Sequence, residues 1–245
     1  EQADKNKPYP IDEDPTLEGI QRAITEWATD AAAPADELLL YFVDHGGPGL
    51  FKVDAITELS AETLDGWLDS AQVDIPGQVI FVYEACQSGS FIPVLTPDTG
   101  KSRLVIASSG AEQKARFDSQ GINSFSYVFW NGISIGSSLY DSYVLAKKAM
   151  QQSSNRQQVA RIDANGDGVA DSKEDKRIAS MVQLGEGISL AADIPIVFDL
   201  SPDAVIEGNT EVTLTAKVAG ASTIDRVWAI IDDPDVIESS ASAPF

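Results

Sequence analysis

The chain of 245 residues has only one cysteine and only one histidine. A single cysteine excludes an intrachain disulfide, so the stability of the fold must come from its core, from metal, or from both. One histidine and one cysteine are also too few ligands for a catalytic zinc ion. These two side chains could still act together as a nucleophile and its base.

Basic residues and long apolar runs are scarce as well. Seventeen Lys and Arg residues stand against 38 Asp and Glu residues, which gives a formal net charge of −21. This charge repels phosphate backbones, so we expect no nucleic-acid partner. No run approaches the ~20 apolar residues of a membrane span, and we expect none. Because the chain starts at Glu1 without a signal peptide, we interpret it as processed or trimmed, and its acidity suits a secreted or cell-surface protein.

The histidine and the cysteine each end an apolar segment. His45 closes LLLYFVDHGG, and Cys86 closes VIFVYEACQSGS. Such segments predict buried strands that carry a functional group at their C-terminal ends. Because parallel sheets bind ligands outside these ends, we expect His45 and Cys86 to meet. Either residue alone is more often an ordinary buried side chain, but the pair indicates a Cys/His hydrolase.

Helical and strand patterns alternate over residues 1–152. The predicted elements are a helix at 15–30, a strand at 38–43, a helix in SAETLDGWLDSA capped by Ser60, a strand at 79–83, a strand starting near Arg103, and a helix at 138–152. In the first helix, Asp14 is the expected N-cap, and the expected buried stripe is Leu17, Ile20, Ile24 and Trp27. The alternation predicts a three-layer α/β domain with a mostly parallel sheet.

Residues 153–190 form a polar linker that contains a calcium-binding motif. The segment DANGDGVADSKE at 163–174 matches the EF-hand loop at every ligand position. The expected ligands are Asp163, Asn165, Asp167, the carbonyl of Val169, Asp171 directly or through water, and Glu174. An ordinary solvated acidic turn has a similar composition. Because long flanking helices are absent, we expect a single structural Ca²⁺, and no cofactor for catalysis.

Residues 191–245 have the pattern of a β-sheet module. TEVTLTAKV alternates apolar and polar residues, and turn residues separate the neighbouring runs. This pattern predicts the start of an immunoglobulin-like β-sandwich, which needs ~100 residues. Either the module continues beyond Phe245 or its strands pack on the first domain; we favour the former.

The strings YFVDHG and EACQSGS resemble those of legumain-like cysteine peptidases, peptidase family C13, which share the caspase/haemoglobinase fold of clan CD. The resemblance spans roughly residues 15–152 and implies a caspase-like domain that cleaves peptides or proteins. It implies that Cys86 is the nucleophile and His45 the general base and acid. The backbone N–H groups of Gly46 and Cys86 would form the oxyanion hole.

The resemblance also implies a substrate pocket. Asp44 matches an acidic residue of the family motif and would tune the histidine. Glu84 falls where legumains place one wall of the pocket, although a polar residue leaving a strand would look the same. Ser108 is a further substrate-binding candidate. Ser124 stands near the position where the legumain pattern has an acidic pocket residue, so the residue preference at the cleavage site stays open.

The family fold has a strand, a helix and a strand ahead of the helix predicted at 15–30, and this chain does not show them. Either this section was cut away, or it survives as another chain, or the fold is shortened. An N-terminal fragment of the same precursor is therefore a candidate partner.

Two functions of different classes fit the sequence. The first is a secreted, calcium-stabilised, legumain-like cysteine endopeptidase, with transpeptidation as a side activity. The second is a non-catalytic cell-surface or adhesion module built on a degenerate peptidase scaffold. A serine hydrolase fits less well, because CQSGS is not the G-x-S-x-G motif and there is no second histidine.

Overall fold

The computed structural model describes residues 15–30, 37–117, 124–152, 157–184, 196–198, 213, 215 and 217–219. The chain divides into two compact units. The first comprises residues 1–190 and 202–205, and the second comprises residues 191–201 and 206–245. In the described ranges, no helix is both long enough and apolar enough to cross a membrane.

The first unit alternates strands and helices. Its strands are β1 Leu38–Val43, β2 Gly46–Gly47, β3 Leu50–Lys52, β4 Glu58–Ser60, β5 Val79–Glu84, β6 Arg103–Ala107 and β7 Arg161–Asp163. Its helices are α1 Leu17–Arg22, which continues as a π-helical turn over Ala23–Trp27, α2 Ala61–Ala71, a 3₁₀ helix at Ser88–Phe91, α3 Phe125–Ser134, α4 Leu139–Gln152 and α5 Lys173–Ala179.

The main sheet has the strand order β1-β5-β6-β7. Strands β1, β5 and β6 are parallel, with Leu38 opposite Val79 and Val79 opposite Arg103. Strand β7 is antiparallel to β6. The prediction of a mostly parallel sheet is therefore confirmed. A second, antiparallel sheet of β2, β3 and β4 follows β1 directly.

Helices cover both faces of the main sheet. Successive strand residues point to opposite sides, so each face presents apolar side chains to the helices that pack on it. On one face, Phe81 packs with Leu64 and Leu68 of α2. On the other face, Val82 packs with Phe125 of α3 and with α4. The predicted three layers are thus present, with one apolar core on each side of the sheet.

The first helix differs from its prediction. Its N-cap is Thr16, whose hydroxyl accepts the N–H of Gly19 at 3.0 Å, whereas Asp14 lies outside the described residues. The predicted placement of Trp27 in the buried stripe is wrong, because this side chain is 75% exposed and Ala28 is buried instead. The π-helical turn has more residues per turn than an α-helix, so it rotates the residues after Ile24 around the helix axis.

The second helix matches its prediction. The hydroxyl of Ser60 accepts the N–H of Thr63 at 3.2 Å and caps α2. Leu64 and Leu68 are fully buried, and Trp67 packs partly buried against the same core. The exit of α2 leads into β5, as the sequence indicates.

The described part of the second unit is one strand pair. Strands β8 Ile196–Phe198 and β9 Lys217–Ala219 are antiparallel, with Val197 opposite Val218. The remaining apolar positions of the TEVTLTAKV pattern lie outside the described residues. The β-sandwich therefore stays a prediction.

Candidate active site

The register of the main sheet brings His45 and Cys86 to the same edge. The last residues of β1 and β5, Val43 and Glu84, lie opposite each other. The N–H of Asp44 continues this ladder by donating to the carbonyl of Glu84 at 3.3 Å. His45 and Cys86 are each the second residue after their strand ends. Adjacent parallel strands therefore deliver both side chains to the carboxyl end of the sheet.

Gly46 provides the close approach between these two segments. A Cβ atom at this position would lie 2.6 Å from the carbonyl oxygen of Cys86, 2.6 Å from the Tyr83 hydroxyl and 2.8 Å from the Cβ of Ala85. Only glycine fits this contact, since backbone atoms cannot move aside as a flexible side chain can. The backbone that carries His45 is thus pressed against the backbone that carries Cys86.

A short hairpin holds Gly46 in place. The carbonyl of His45 accepts the N–H of Lys52 at 3.0 Å, and Gly46 lies opposite Phe51 in the next pair. Paired residues of an antiparallel ladder alternate between hydrogen-bonded and non-hydrogen-bonded positions. Gly46 is in a non-hydrogen-bonded position, so its N–H points away from β3 and is not used by that ladder.

Cys86 begins a tight turn at the end of β5. The next residue, Gln87, has a left-handed backbone with φ of 59°, which is uncommon for a residue with a side chain. Its N–H donates to the carbonyl of Gln113 at 2.7 Å. The Cys86 thiol is partly buried and donates to the carbonyl of Ala115 at 3.8 Å, while His45 is exposed. Unusual backbone at this point, next to a reactive side chain, is typical of functional sites.

Two glutamines, neither of which stands in a recognisable sequence motif, hold the loop that borders the thiol. The side-chain carbonyl of Gln113 accepts the N–H groups of Gly110 and Val159 at 3.0 and 2.8 Å. Buried Gln158 donates to the carbonyl of Ser108 and accepts the N–H of Arg116. These contacts tie residues 108–116 to the segment before β7. A lone glutamine in a loop carries no sequence signal for such a role.

The predicted pocket residues line the same edge of the sheet. Glu84 is fully buried, and its carboxylate accepts the N–H groups of Phe125 and Ser126 at 2.8 Å each. Burial raises the pKa of Glu84, and these hydrogen bonds oppose the rise. Buried Ser124 caps α3 by accepting the N–H of Tyr127. Glu84 and Ser124 thus meet at the start of one helix.

Ser108 and Asp44 lie on either side of Glu84, because they follow the two strands that flank β5. Ser108 follows β6, its N–H donates to the carbonyl of Tyr83, and its buried hydroxyl has no hydrogen-bond partner among the described residues. The Asp44 carboxylate is exposed and accepts the backbone N–H of His45. Asp44 therefore fixes the main chain at the histidine.

The predicted calcium ligands separate into two groups. Asp163 accepts the N–H groups of Gly166 and Gly168, and Asn165 donates to Asp167, so these three side chains share one turn. That turn also carries Val169, whose N–H donates to Asp167.

The last two predicted ligands point elsewhere. Asp171 bonds Tyr143, Lys147 and Arg161, and exposed Glu174 pairs with Arg177. Within the described ranges, no group of three or more His, Cys, Asp or Glu side chains is arranged to hold a metal ion.

The sheet edge around Cys86 has the parts of a nucleophilic site. A thiol, an imidazole and two backbone segments rich in small residues converge there, and a buried carboxylate lies alongside. Such an arrangement suits covalent attack on a carbonyl group, with backbone N–H groups facing the oxygen that becomes negative.

This chain is similar to a protein family, a curated enzyme and a solved structure. The peptidase C13 family matches residues 17–164. A vacuolar-processing enzyme from Vicia sativa is 32% identical over 82 residues, which are 33% of this chain and 17% of that enzyme's length. The crystal structure of caspase-1 from Spodoptera frugiperda superposes with a TM-score of 0.47 at 17% identity, covering 60% of this chain and 67% of the caspase chain.

Proposed function

The chain belongs to the peptidase C13 family, and from that premise we propose that it is a cysteine endopeptidase whose nucleophile is Cys86 and whose general base is His45. The observation that carries this proposal is the close packing of Gly46 against Cys86. This contact places the histidine segment beside the only thiol of the chain, at the carboxyl ends of neighbouring parallel strands.

The proposed reaction proceeds through an acyl-enzyme. His45 takes the proton from the Cys86 thiol, and the sulfur attacks the carbonyl carbon of the scissile peptide bond. The N–H groups of Gly46 and Cys86 stabilise the negative oxygen of the tetrahedral intermediate. His45 then gives its proton to the departing amine, which leaves a thioester. Water, activated by His45, hydrolyses the thioester and restores the thiol.

Transpeptidation would share the first half of this reaction. If an amine attacks the thioester in place of water, a new peptide bond forms and the thiol is restored in the same way. We propose hydrolysis as the main activity and transfer to amines as the side activity.

We propose that Glu84, Ser108 and Ser124 line the pocket for the residue before the cleaved bond, and that Asp44 orients the histidine. The buried hydroxyl of Ser108, which has no partner in the part of the chain that the structure describes, supports this assignment, because buried polar atoms normally have a partner. Glu84 supports it less directly, since both of its oxygens already accept backbone N–H groups.

We further propose a secreted or cell-surface location and a partner, an N-terminal fragment of the same precursor. The strong negative charge is compatible with the location. Partly exposed side chains of β1 support the partner: Leu39, Tyr41 and Val43 are 39–46% exposed on the face of the sheet where Tyr41 contacts Trp130 of α3. Three neighbouring apolar side chains on a strand at the edge of a sheet favour coverage by another segment.

Alkylation of the single cysteine tests the proposed pair, because iodoacetamide then reports on Cys86 alone. At pH 6.5 an ordinary thiol is only about 1% thiolate. We expect the native chain to react at least about tenfold faster than His45→Ala, because the imidazole favours the thiolate. The urea-unfolded chain supplies the reference rate for an ordinary thiol. Equal rates in the native chain and His45→Ala would favour the non-catalytic surface module instead.

We also propose that the loop at 163–169 binds a structural Ca²⁺ through Asp163, Asn165, Asp167 and the carbonyl of Val169. Their oxygen atoms suit a hard cation. Burial raises the pKa of Asp163, and the charges of Asp175 and Asp167 add to the rise, so a cation would relieve repulsion in this turn. Asp171 and Glu174 do not fit the site as placed, because both are engaged with basic side chains.

Calcium titration of the melting temperature tests this site. At a Ca²⁺ concentration about a hundredfold above the dissociation constant, we expect a rise of about 5 °C or more over the chelated protein. Asp167→Asn should remove the rise, since this exposed side chain contributes a charged ligand. Asp74→Asn, an exposed residue just after α2, is the matched control. A melting temperature that ignores both Ca²⁺ and chelator would rule the site out.

A further inference from the structure

A buried tyrosine lies directly beneath the hairpin that carries the proposed catalytic residues. Tyr83 is in β5, three residues before Cys86, and its side chain is fully buried. Its ring contacts the rings of Phe51, Phe81 and Phe91, with centroids 5.7, 5.6 and 4.6 Å away. Its position is therefore set by packing from three sides.

The Tyr83 hydroxyl makes a directed contact with the hairpin. It donates to the carbonyl of Leu50 at 3.0 Å. Leu50 pairs with Gly47, the residue after Gly46. The same hydroxyl lies 2.6 Å from where a Cβ of Gly46 would be. A single oxygen atom thus touches both strands of the hairpin at the point where it meets Cys86.

We infer that Tyr83 is a positioning residue, which holds the β2–β3 hairpin so that the Gly46 N–H and His45 face the Cys86 thiol. This role rests on the proposed peptidase function. Tyr83 does not take part in the chemistry, because its hydroxyl is buried and already donates to Leu50. Burial raises the pKa of Tyr83, and the nearby charges of Cys86 and Asp44 raise it further, so the hydroxyl keeps the proton that it donates.

The second tie to this hairpin comes from the turn after the cysteine. The Ser90 hydroxyl accepts the N–H of Gly49 at 2.8 Å and donates to the carbonyl of Gln87 at 2.6 Å. Tyr83 and Ser90 therefore hold the hairpin from the strand and from the turn on either side of Cys86. These two hydrogen bonds restrict the movement of the hairpin relative to the Cys86 thiol.

The test compares Tyr83→Phe with Tyr143→Phe. Tyr143 is equally buried but lies in the core on the opposite face of the sheet, where its hydroxyl contacts Ala160 and Asp171. Both variants lose one buried hydroxyl and keep the ring. For Tyr83→Phe we expect kcat on a fluorogenic peptide to fall about tenfold with KM within about twofold of the wild type, because small displacements of catalytic groups slow the chemical step. For Tyr143→Phe we expect wild-type kcat.

Hydrogen exchange of the peptide spanning residues 46–52 is the second readout. We expect faster exchange in Tyr83→Phe than in the wild type or in Tyr143→Phe. Unchanged exchange, or faster exchange with wild-type kcat, would overturn the positioning role. A wild type without peptidase activity would instead overturn the proposed function, and hairpin exchange would still show whether Tyr83 holds this segment.

Discussion

Replacing Cys86 by alanine should abolish peptide cleavage. We expect kcat/KM on a fluorogenic peptide panel to fall by at least about 10⁴-fold, because the acyl-enzyme cannot form without the sulfur. Cys86→Ser should lose nearly as much, since the hydroxyl it introduces keeps its proton at neutral pH. The panel should vary the residue before the cleaved bond, so that low activity on one sequence is not taken for inactivity.

His45→Ala should lose about as much activity as Cys86→Ala. The double variant should be no worse than either single variant, because residues that act as a unit have strongly non-additive effects. Glu62→Gln, which changes an exposed residue of α2 outside the proposed site, is the control. Activity that survives in Cys86→Ala would exclude the mechanism, and additive losses would show that the two residues act separately.

The strands that carry these residues were predictable because their sequences are unambiguous. Strand β1 has the predicted bounds, and β5 is one residue longer than predicted. Both are continuous apolar runs, and polar or small residues follow at once. The placement of His45 and Cys86 at the same edge of the sheet follows from the parallel register of β1 and β5.

Helix α3 was not predictable from local pattern. Its sequence, FSYVFWNGIS, is rich in β-prone aromatic residues, and its start depends on a tertiary contact in addition to the local Ser124 cap. Buried Glu84, from another strand, accepts the first two N–H groups of the helix. Only the fold brings the Glu84 carboxylate to the helix, so the local sequence around residue 124 does not predict this contact.

The supporting contacts of the site were hidden for a similar reason. Gln113 and Gln158 make three hydrogen bonds between segments more than 40 residues apart in sequence. Tyr83 reads as one more β-prone residue of a buried strand, although its hydroxyl contacts the hairpin. Periodicity identifies which residues are buried, but it does not identify which buried polar atom holds a functional backbone.

A second prediction concerns stability rather than catalysis. Arg103 lies at the start of β6, and its side chain is fully buried. Its guanidinium donates to Asp65 at 2.6 Å, to Asp69 at 2.7 Å, and twice to the side-chain carbonyl of buried Gln72. All of these acceptors lie on or next to α2. One cation therefore joins this helix to the main sheet and separates two carboxylates one helical turn apart.

Arg103→Ala should lower the free energy of unfolding by about 3–5 kcal/mol. The change removes packed volume, leaves Gln72 without its donor and brings Asp65 and Asp69 into direct repulsion. Burial already raises the pKa of Asp65, and the charge of Asp69 adds to the rise. Urea unfolding followed by circular dichroism measures the loss.

Arg103→Lys is the matched control for this network. Lysine keeps the charge, but its ammonium group cannot reach three acceptors in the planar geometry of a guanidinium. We expect a smaller loss, of about 1–3 kcal/mol.

Under conditions where both variants stay folded, kcat should equal that of the wild type, because Arg103 lies at the amino end of the parallel strands and Cys86 follows the carboxyl end. A wild-type urea midpoint in Arg103→Ala would contradict the assigned role, and a large loss of kcat in the folded Arg103→Lys variant would show that the two ends of the sheet are coupled.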